Sequence, residues 1–283
     1  MKIECIGVSY QYDLPGDEPV IRDISLRVTQ GEKIAVIGPA GSGKTTLIQL
    51  LDALILPTKG DILYDGISVR SLLKAKKLPS IRRRIGVLFQ FPEHQFFHES
   101  AYEELSFAVK NFLPAVSEEI EGRARTIMER FHMDLDRLKD ISPFNLSSGE
   151  KRKLALASAL MTSPEVLILD EPTAGMDSLG RKELIKIISS LKETTVILVT
   201  HNPEDFLGNV DRVVGISRGT KVVDTPVDTL VHHLESMEES GIVPPFVLAV
   251  QHWLIHAGCR LDHIFLTMDD LSEYLRVRLQ AIE

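Results

Sequence analysis

KIAVIGPAGSGKTT, residues 33–46, decides the fold. Its first five residues are a short apolar run, the kind that marks a strand buried on both faces of a parallel sheet. The next nine fit the spacing G-x-x-x-x-G-K-[ST], and a helical pattern follows over 44–54. Gly38, Gly41 and Gly43 let the backbone curl without Cβ clashes. The loop of Gly38, Pro39, Ala40, Gly41, Ser42 and Gly43 then turns its N–H groups inward as an anion nest. Lys44 sets a positive charge against the outer phosphates of a nucleotide. Thr45 and Thr46 open the helix, Thr45 is placed to ligate Mg²⁺, and the helix dipole adds about half a positive charge.

Four more short apolar runs repeat the first: IGVLFQ (85–90), VLILD (166–170), TVILVTH (195–201) and RVVGIS (212–217). Helical patterns at 151–161 and 181–192 separate them, which is α/β organisation. VLILDE delivers two carboxylates at the end of a strand. Asp170 suits magnesium through water. Glu171 suits polarising an attacking water as general base, a role typically worth ~10²–10⁴-fold. Gln90 and His201 end two other runs. Gly38, Gln90, Asp170 and His201 are therefore expected on one rim, where open α/β sheets bind ligands. There Gln90 would sense magnesium and the attacking water, and His201 would hydrogen-bond the γ-phosphate.

A second helix start lies in NLSSGEKRKLALASAL, residues 145–160. Ser147 can cap it, and Glu150 three residues on has capping-box spacing. Its free N–H groups favour an anion, yet the 38–46 loop already surrounds the phosphates within its own chain. The tip formed by Ser147, Ser148, Gly149 and Glu150 is therefore expected on the nucleotide of a second copy arranged head to tail, with each ATP held between two chains. Asp177, in TAGMD, is placed to communicate across that interface.

Over roughly residues 1–225 this ensemble resembles the ATP-binding cassette (ABC) family. The resemblance makes GPAGSGKTT the P-loop, Gln90 the Q-loop glutamine and LSSGE the signature motif. VLILDE becomes the magnesium strand with its catalytic glutamate, Asp177 the D-loop and His201 the switch histidine. Tyr12 becomes the aromatic residue that stacks on adenine. ATP and Mg²⁺ are the implied ligands. The implied fold is an α/β P-loop NTPase (RecA-like) core with a mainly parallel sheet, an antiparallel β subdomain, an inserted helical subdomain and a C-terminal helical extension. The family signature is usually L-S-G-G-Q, whereas this chain reads Leu146, Ser147, Ser148, Gly149, Glu150. Ser148 adds a Cβ where backbone approaches phosphate. Glu150 adds a negative charge, with Lys151, Arg152 and Lys153 nearby to offset it. Either the composite site is weakened, or Glu150 completes the capping box and points away.

A narrower likeness follows. FQFPEHQFFHESAYEELSFAVKN, residues 89–111, is similar to the segment after the Q-loop in energy-coupling factor transporter ATPases, including cobalt-transport ATPases. The resemblance implies three partners: a second ATPase subunit, identical or homologous; a transmembrane scaffold; and a small membrane subunit that captures a vitamin or transition-metal ion. It makes Glu104 the acid that meets a basic residue on the scaffold's coupling helix. It also gives the C-terminal helices a role in stabilising the ATPase pair, although Phe246, Leu248, Trp253 and Leu254 would equally serve as core. Three other readings stand beside it: the ATPase of another ABC transporter subfamily, a soluble non-transport ABC ATPase, and a regulatory module that binds ATP without turnover. Glu171 and His201 together argue against the last.

The rest of the chain is organised around these motifs. KIECIGV and ISLRV within residues 2–30, with GDILYDG at 60–66, read as a small antiparallel sheet. Residues 91–162 read as the helical insertion, with Ser117 capping SEEIEGRARTIMERF. The expected division is 1–227 for the ATP-binding domain and 228–283 for an appended pair of helices. With 40 acidic against 32 basic residues, net −8, no nucleic-acid partner is expected. The basic patch IRRRIG at 81–86 reads as a solvated helix or strand end. Two distant cysteines, Cys5 and Cys259, suggest neither a metal site nor a disulfide framework, and so a reducing, cytoplasmic setting. No secretory signal pattern is present and no run of about 20 apolar residues occurs, so work at a membrane would mean docking peripherally on its cytoplasmic face. His252 and His256 share a helix face but, lacking a nearby third ligand, read as surface; His232 and His233 are a weaker pair still.

Overall fold

The computed structural model describes residues 1–12, 18–91, 95–113 and 116–280. Much of the turn-rich loop expected between the first two strands, and residues 92–94 of the segment after Gln90, lie outside this set.

Two sheets form. In the smaller, β1 (Ile3–Tyr10), β2 (Ile21–Val28), β4 (Lys59–Tyr64) and β5 (Ile67–Ser68) run in the order β2-β1-β4-β5, with every pairing antiparallel. The larger contains β3 (Lys33–Ile37), β6 (Ile85–Leu88), β7 (Val166–Asp170), β8 (Thr195–Val199), β9 (Arg212–Ser217) and β10 (Thr220–Pro226), in the order β10-β9-β3-β8-β7-β6. All its pairings are parallel except that of β10 with β9. Every residue of β7 and β8 is buried, as continuous apolar runs require. β10 was not anticipated. Its sequence mixes buried Val223 and Thr225 with exposed Thr220, Asp224 and Pro226, the alternation of an edge strand rather than a core run.

The period-2 alternation of the central strand divides the interior in two. Ile34 and Val36 of β3 face the antiparallel sheet, α1 (Lys44–Leu51), α2 (Val69–Lys74) and α3 (Leu78–Arg82). Ala35 and Ile37 face the other way, onto the core built with α4 (Ala101–Phe112), α5 (Ser117–Arg130), α6 (Leu135–Leu138), α7 (Ser148–Leu160) and α8 (Ser178–Ser190). Ser117 does not cap α5. It is the first helical residue after Val116, whose N–H donates to the Glu119 carboxylate at 3.4 Å. The basic patch is spent internally: Arg84 binds Glu165 and Asp65, and Arg82 donates to the Ala53 carbonyl. Arg84 is the main reason the Glu165 carboxyl is held down at about 2.

The C-terminal residues form α9 (Leu234–Glu239), α10 (Phe246–His256) and α11 (Met268–Gln280). Their apolar side chains pack onto the core of the larger sheet. Val247, Leu248, Phe265 and Leu271 join the cluster that contains Val213 of β9 and Val223 of β10. Gln251, fully buried, fixes α10. Its Nε2 donates to the carbonyls of Val247 and Phe265 at 2.9 and 2.8 Å, and its Oε1 accepts from Phe265 N–H at 2.8 Å. Of the apolar side chains expected there, Leu248 is core and Leu254 half-buried, while Phe246 and Trp253 stay 59% and 68% exposed.

Candidate active site

Register explains how four distant segments meet. Leu88 pairs with Leu169, Asp170 with Val199, and Val36 also with Val199, so β6, β7, β8 and β3 end level on one rim. Two details differ from the sequence reading. β6 stops at Leu88 and β8 at Val199, so Gln90 and His201 lie two residues beyond their strands, each in an exposed bend.

The P-loop curls as its glycines demand. A Cβ on Gly38 would sit 2.1 Å from the Ile216 carbonyl oxygen. Gly43, the N-cap of α1, holds φ at 101°, and a Cβ there would come within 2.9 Å of the Val20 carbonyl oxygen. The Lys44 ammonium folds over the loop, donating to the carbonyls of Gly38 and Pro39 at 2.8 and 2.9 Å. Burial lowers its pKa, while the carboxylates of Glu171 and Asp170 act the other way. The Ser42 hydroxyl is buried and has no partner among the described residues, and it lies 2.8 Å from where a Gly38 Cβ would stand. An unused donor inside an anion-shaped curl suits a phosphate oxygen.

Thr45 Oγ1 lies 3.3 Å from Asp170 Oδ2. Adjacent oxygens around an octahedral Mg²⁺ at ~2.0–2.1 Å stand roughly 2.9 Å apart, so this pair fits magnesium, directly or with a water completing the reach. Burial raises the Asp170 pKa, and the Thr45 hydrogen bond opposes that rise. Tyr12 leans on the helix start through Thr46, hydroxyl to hydroxyl at 3.2 Å, and is 38% exposed. Tyr10 meets its ring edge-on at 4.9 Å.

Glu171 is buried, and its backbone is held at φ 49°. That region costs a non-glycine residue roughly 1–2 kcal/mol. The conformation is over-determined: its N–H donates to the Val199 carbonyl at 2.8 Å, and its carboxylate is gripped from β8's exit. One oxygen accepts from His201 N–H at 2.8 Å and meets His201 Nδ1 at 2.7 Å, while the other faces the Thr200 hydroxyl at 3.3 Å. The sequence placed Glu171 and His201 on one rim. The fold makes them direct partners, with the imidazole itself 70% exposed.

At the signature helix the capping box closes. Ser147 Oγ accepts from Glu150 N–H at 3.3 Å, and one Glu150 oxygen receives the Ser147 hydroxyl at 2.8 Å and the Ser147 N–H at 3.1 Å. The other Glu150 oxygen accepts from Arg137 at 2.6 Å. The Ser147 hydroxyl, the Ser147 N–H and then Arg137 hold the Glu150 carboxyl below its usual range. Arg137, 13 residues upstream, therefore offsets this charge. Of the basic triplet expected to do so, Lys153 is committed to Glu183 at 2.7 Å and Arg152 is turned inward. Ser148 is exposed as the first residue of α7, and Gly149 faces open space. Asp177 caps α8, accepting from Gly180 N–H at 2.8 Å.

A cleft of about 710 Å³ separates the α7 tip from α8. Ser147, Gly149, Glu150, Arg137, Met176 and Asp177 line it, and no P-loop residue does. Sequence reasoning missed the role of Arg152. Its guanidinium is buried and donates to the carbonyls of Pro172, at 3.0 Å, and Ala174, tying the signature helix to the segment just after Glu171. The signal was present: Arg152, Leu156 and Leu160 recur every four residues on the buried face of α7. Glu104 also departs from expectation. It is 9% exposed, and one of its oxygens accepts from the N–H groups of Phe97 and His98 and faces His98 Nδ1, each at 3.2 Å. What the surface presents there is Phe97, 62% exposed and packed edge-on against Phe107 at 4.9 Å.

The ABC transporter family profile matches residues 21–174. The energy-coupling factor transporter ATP-binding protein EcfA2 of Thermotoga maritima is 42% identical over 228 residues, 79% of this chain and 82% of its own. Its namesake from Clostridium perfringens is 35% identical over 278 residues, 97% of this chain and 96% of its own. Among solved structures, cbiO1 from Clostridium perfringens, described as part of the ABC transporter complex cbiONQ, matches with TM-score 0.73 at 28% identity. It covers 88% of this chain and 98% of its own. A dimeric bacterial ABC transporter cassette shares the fold, with TM-score 0.72 at 24% identity over 80% of this chain and 98% of its own. With a phosphate curl, a magnesium-ready pair and a gripped glutamate on one rim, the chain belongs to the ABC transporter family, among the ATP-hydrolysing subunits of energy-coupling factor type.

Proposed function

We propose that this chain is the motor of an importer, working at the cytoplasmic face of the membrane in a head-to-tail pair with a second ATPase subunit, identical or homologous. A transmembrane scaffold and a small capture subunit would complete the complex, and the cargo would be a vitamin or a transition-metal ion. The observation that carries the paired arrangement is the separation of the half-sites: the signature cleft has Ser147 and Gly149 at its wall and no P-loop residue. That lining supports a phosphate on this tip coming from another chain.

In this reading the residues divide the work. Ser42, Lys44 and the 38–43 backbone hold the phosphates, with Tyr12 beside adenine. Thr45 and Asp170 hold Mg²⁺, with Gln90 reporting its presence. Glu171 takes a proton from the attacking water. His201, its Nδ1 on Glu171, orients that carboxylate and keeps Nε2 for the γ-phosphate side. Ser147, Ser148, Gly149 and Asp177 serve the partner's nucleotide. Glu104 acts on the scaffold indirectly: its carboxylate shapes the loop that displays Phe97 rather than meeting a basic residue itself. Division into an ATP-binding unit, 1–227, and a pairing extension, 228–283, is part of the same proposal, with exposed Phe246 and Trp253 as the extension's contact residues.

The decisive experiment is Glu171→Gln. The amide keeps the size and the hydrogen-bonding oxygen but cannot accept the proton. ATP binding should persist, hydrolysis should fall by the ~10²–10⁴-fold typical of a general base, and ATP should accumulate closed pairs. Wild-type turnover in that variant would remove Glu171 from the chemistry.

A further inference from the structure

His252 and His256 have a third partner that the sequence did not disclose. α9 brings Glu235 alongside them, and one ligand atom from each of the three residues lies within 4.8 Å of the other two. The imidazoles approach through their Nε2 atoms at 2.9 Å, with ring planes at 75°. Two nitrogens on one tetrahedral zinc at ~2.0–2.1 Å stand roughly 3.3 Å apart, so a small ring rotation converts this contact into shared coordination. A single hydrogen bond between neutral rings uses one proton and one lone pair, whereas a cation between them engages a lone pair on each. Glu235 has no ion pair among the described residues, so its carboxylate is available.

The support beneath the cluster is firm. α10 is bolted through Gln251, one residue before His252, by two hydrogen bonds to the backbone of Phe265. His252 is half-buried, while Glu235 and His256 face solvent, which leaves room for a water or another donor at a further position. Two imidazole nitrogens and one carboxylate oxygen suit first-row transition ions; magnesium and calcium prefer oxygen-only sets.

We propose that Glu235, His252 and His256 form a binding site for a divalent transition-metal ion of the zinc class, clipping α9 to α10. The site stands apart from the nucleotide chemistry, on elements that carry none of the P-loop, Asp170, Glu171 or signature residues.

The test uses the full-length chain, stripped of metal by chelator and titrated with Zn²⁺ against a chromophoric competitor. Co²⁺ absorption provides a second readout of nitrogen ligation. The wild-type chain should take up one competitor-resistant equivalent. His252→Ala and His256→Ala should each weaken that uptake by at least the roughly 10–100-fold that loss of a ligand's outer partner typically costs, and Glu235→Gln should weaken it on the order of tenfold. His232→Ala should leave it unchanged, and ATP affinity should stay at the wild-type value in all four variants. Equal Zn²⁺ uptake by wild type and the His252→Ala/His256→Ala double variant would overturn the proposal. So would loss of uptake in His232→Ala.

Discussion

The charge balance at the signature tip makes a prediction with two opposite signs. Ser147 Oγ and Glu150 are 2.8 Å apart, so a phosphate oxygen toward which that hydroxyl turned the proton it now donates to Glu150 would stand about 5 Å from a carboxylate oxygen. At that distance one unit of like charge costs ~0.8 kcal/mol in bulk water and ~3 kcal/mol at an effective dielectric of 20. Arg137, 2.6 Å beyond the carboxylate, returns somewhat less because it is farther from the phosphate. Glu150→Gln keeps an oxygen for the capping box and removes the repulsion, leaving Arg137 to act alone. It should tighten ATP-driven pairing by about fivefold, equivalent to ~1 kcal/mol. Arg137→Gln leaves Glu150 uncompensated and should weaken pairing by about threefold. The assay is ATP-dependent association in sedimentation, in the Glu171→Gln background so that hydrolysis does not intervene. This chain is mixed with the ATPase subunit it pairs with, a second copy or a paralogue. Raising salt to 1 M shortens the screening length to about 3 Å and should erase most of both effects. Shifts of the same sign in the two variants, or none in either, would refute the account of Arg137 and Glu150 as a compensated pair beside the partner's phosphate.

Two further outcomes are expected. Burial pushes the Asp52 carboxyl up to about 7 with Arg82 pulling the other way, so ionising it in the fold carries a cost absent below about pH 4 and complete above pH 7. Asp52→Asn should therefore stabilise the protein at pH 8 by at most about 4 kcal/mol, an advantage that shrinks as pH falls from 7 to 4 in denaturant titrations; a gain independent of pH would contradict this. Glu104→Gln should loosen the Phe97–His98 turn by about 1 kcal/mol, reduce co-purification with the membrane partners about fivefold and leave ATP affinity of the isolated chain intact, whereas undiminished co-purification would exclude its role in docking.

What the sequence made legible is local or periodic. Apolar runs located β3, β6, β7, β8 and β9, and one glycine-lysine spacing located the phosphate curl. What it hid depends on pairs far apart in the chain. Arg137 of α6 reaches Glu150 of α7 across 13 residues, a pairing set by the tertiary fold. Glu104 points inward because the loop before α4 folds back over the helix and offers it two N–H groups. Glu235 meets the histidines because α9 and α10 both pack on the turn over Val227–His233, which no spacing encodes. β10 escaped notice because an edge strand lacks the unbroken apolar run that marks its neighbours.

Arg152 has a consequence for timing. Its guanidinium fastens the signature helix to the carbonyls of Pro172 and Ala174, immediately downstream of Glu171, the proposed water-activating carboxylate. Under the proposed pairing, a shift at one catalytic centre would be delivered through this link to the opposite nucleotide. In the proposed head-to-tail pair the two firing events would then share a common clock, each centre registering the other's ATP.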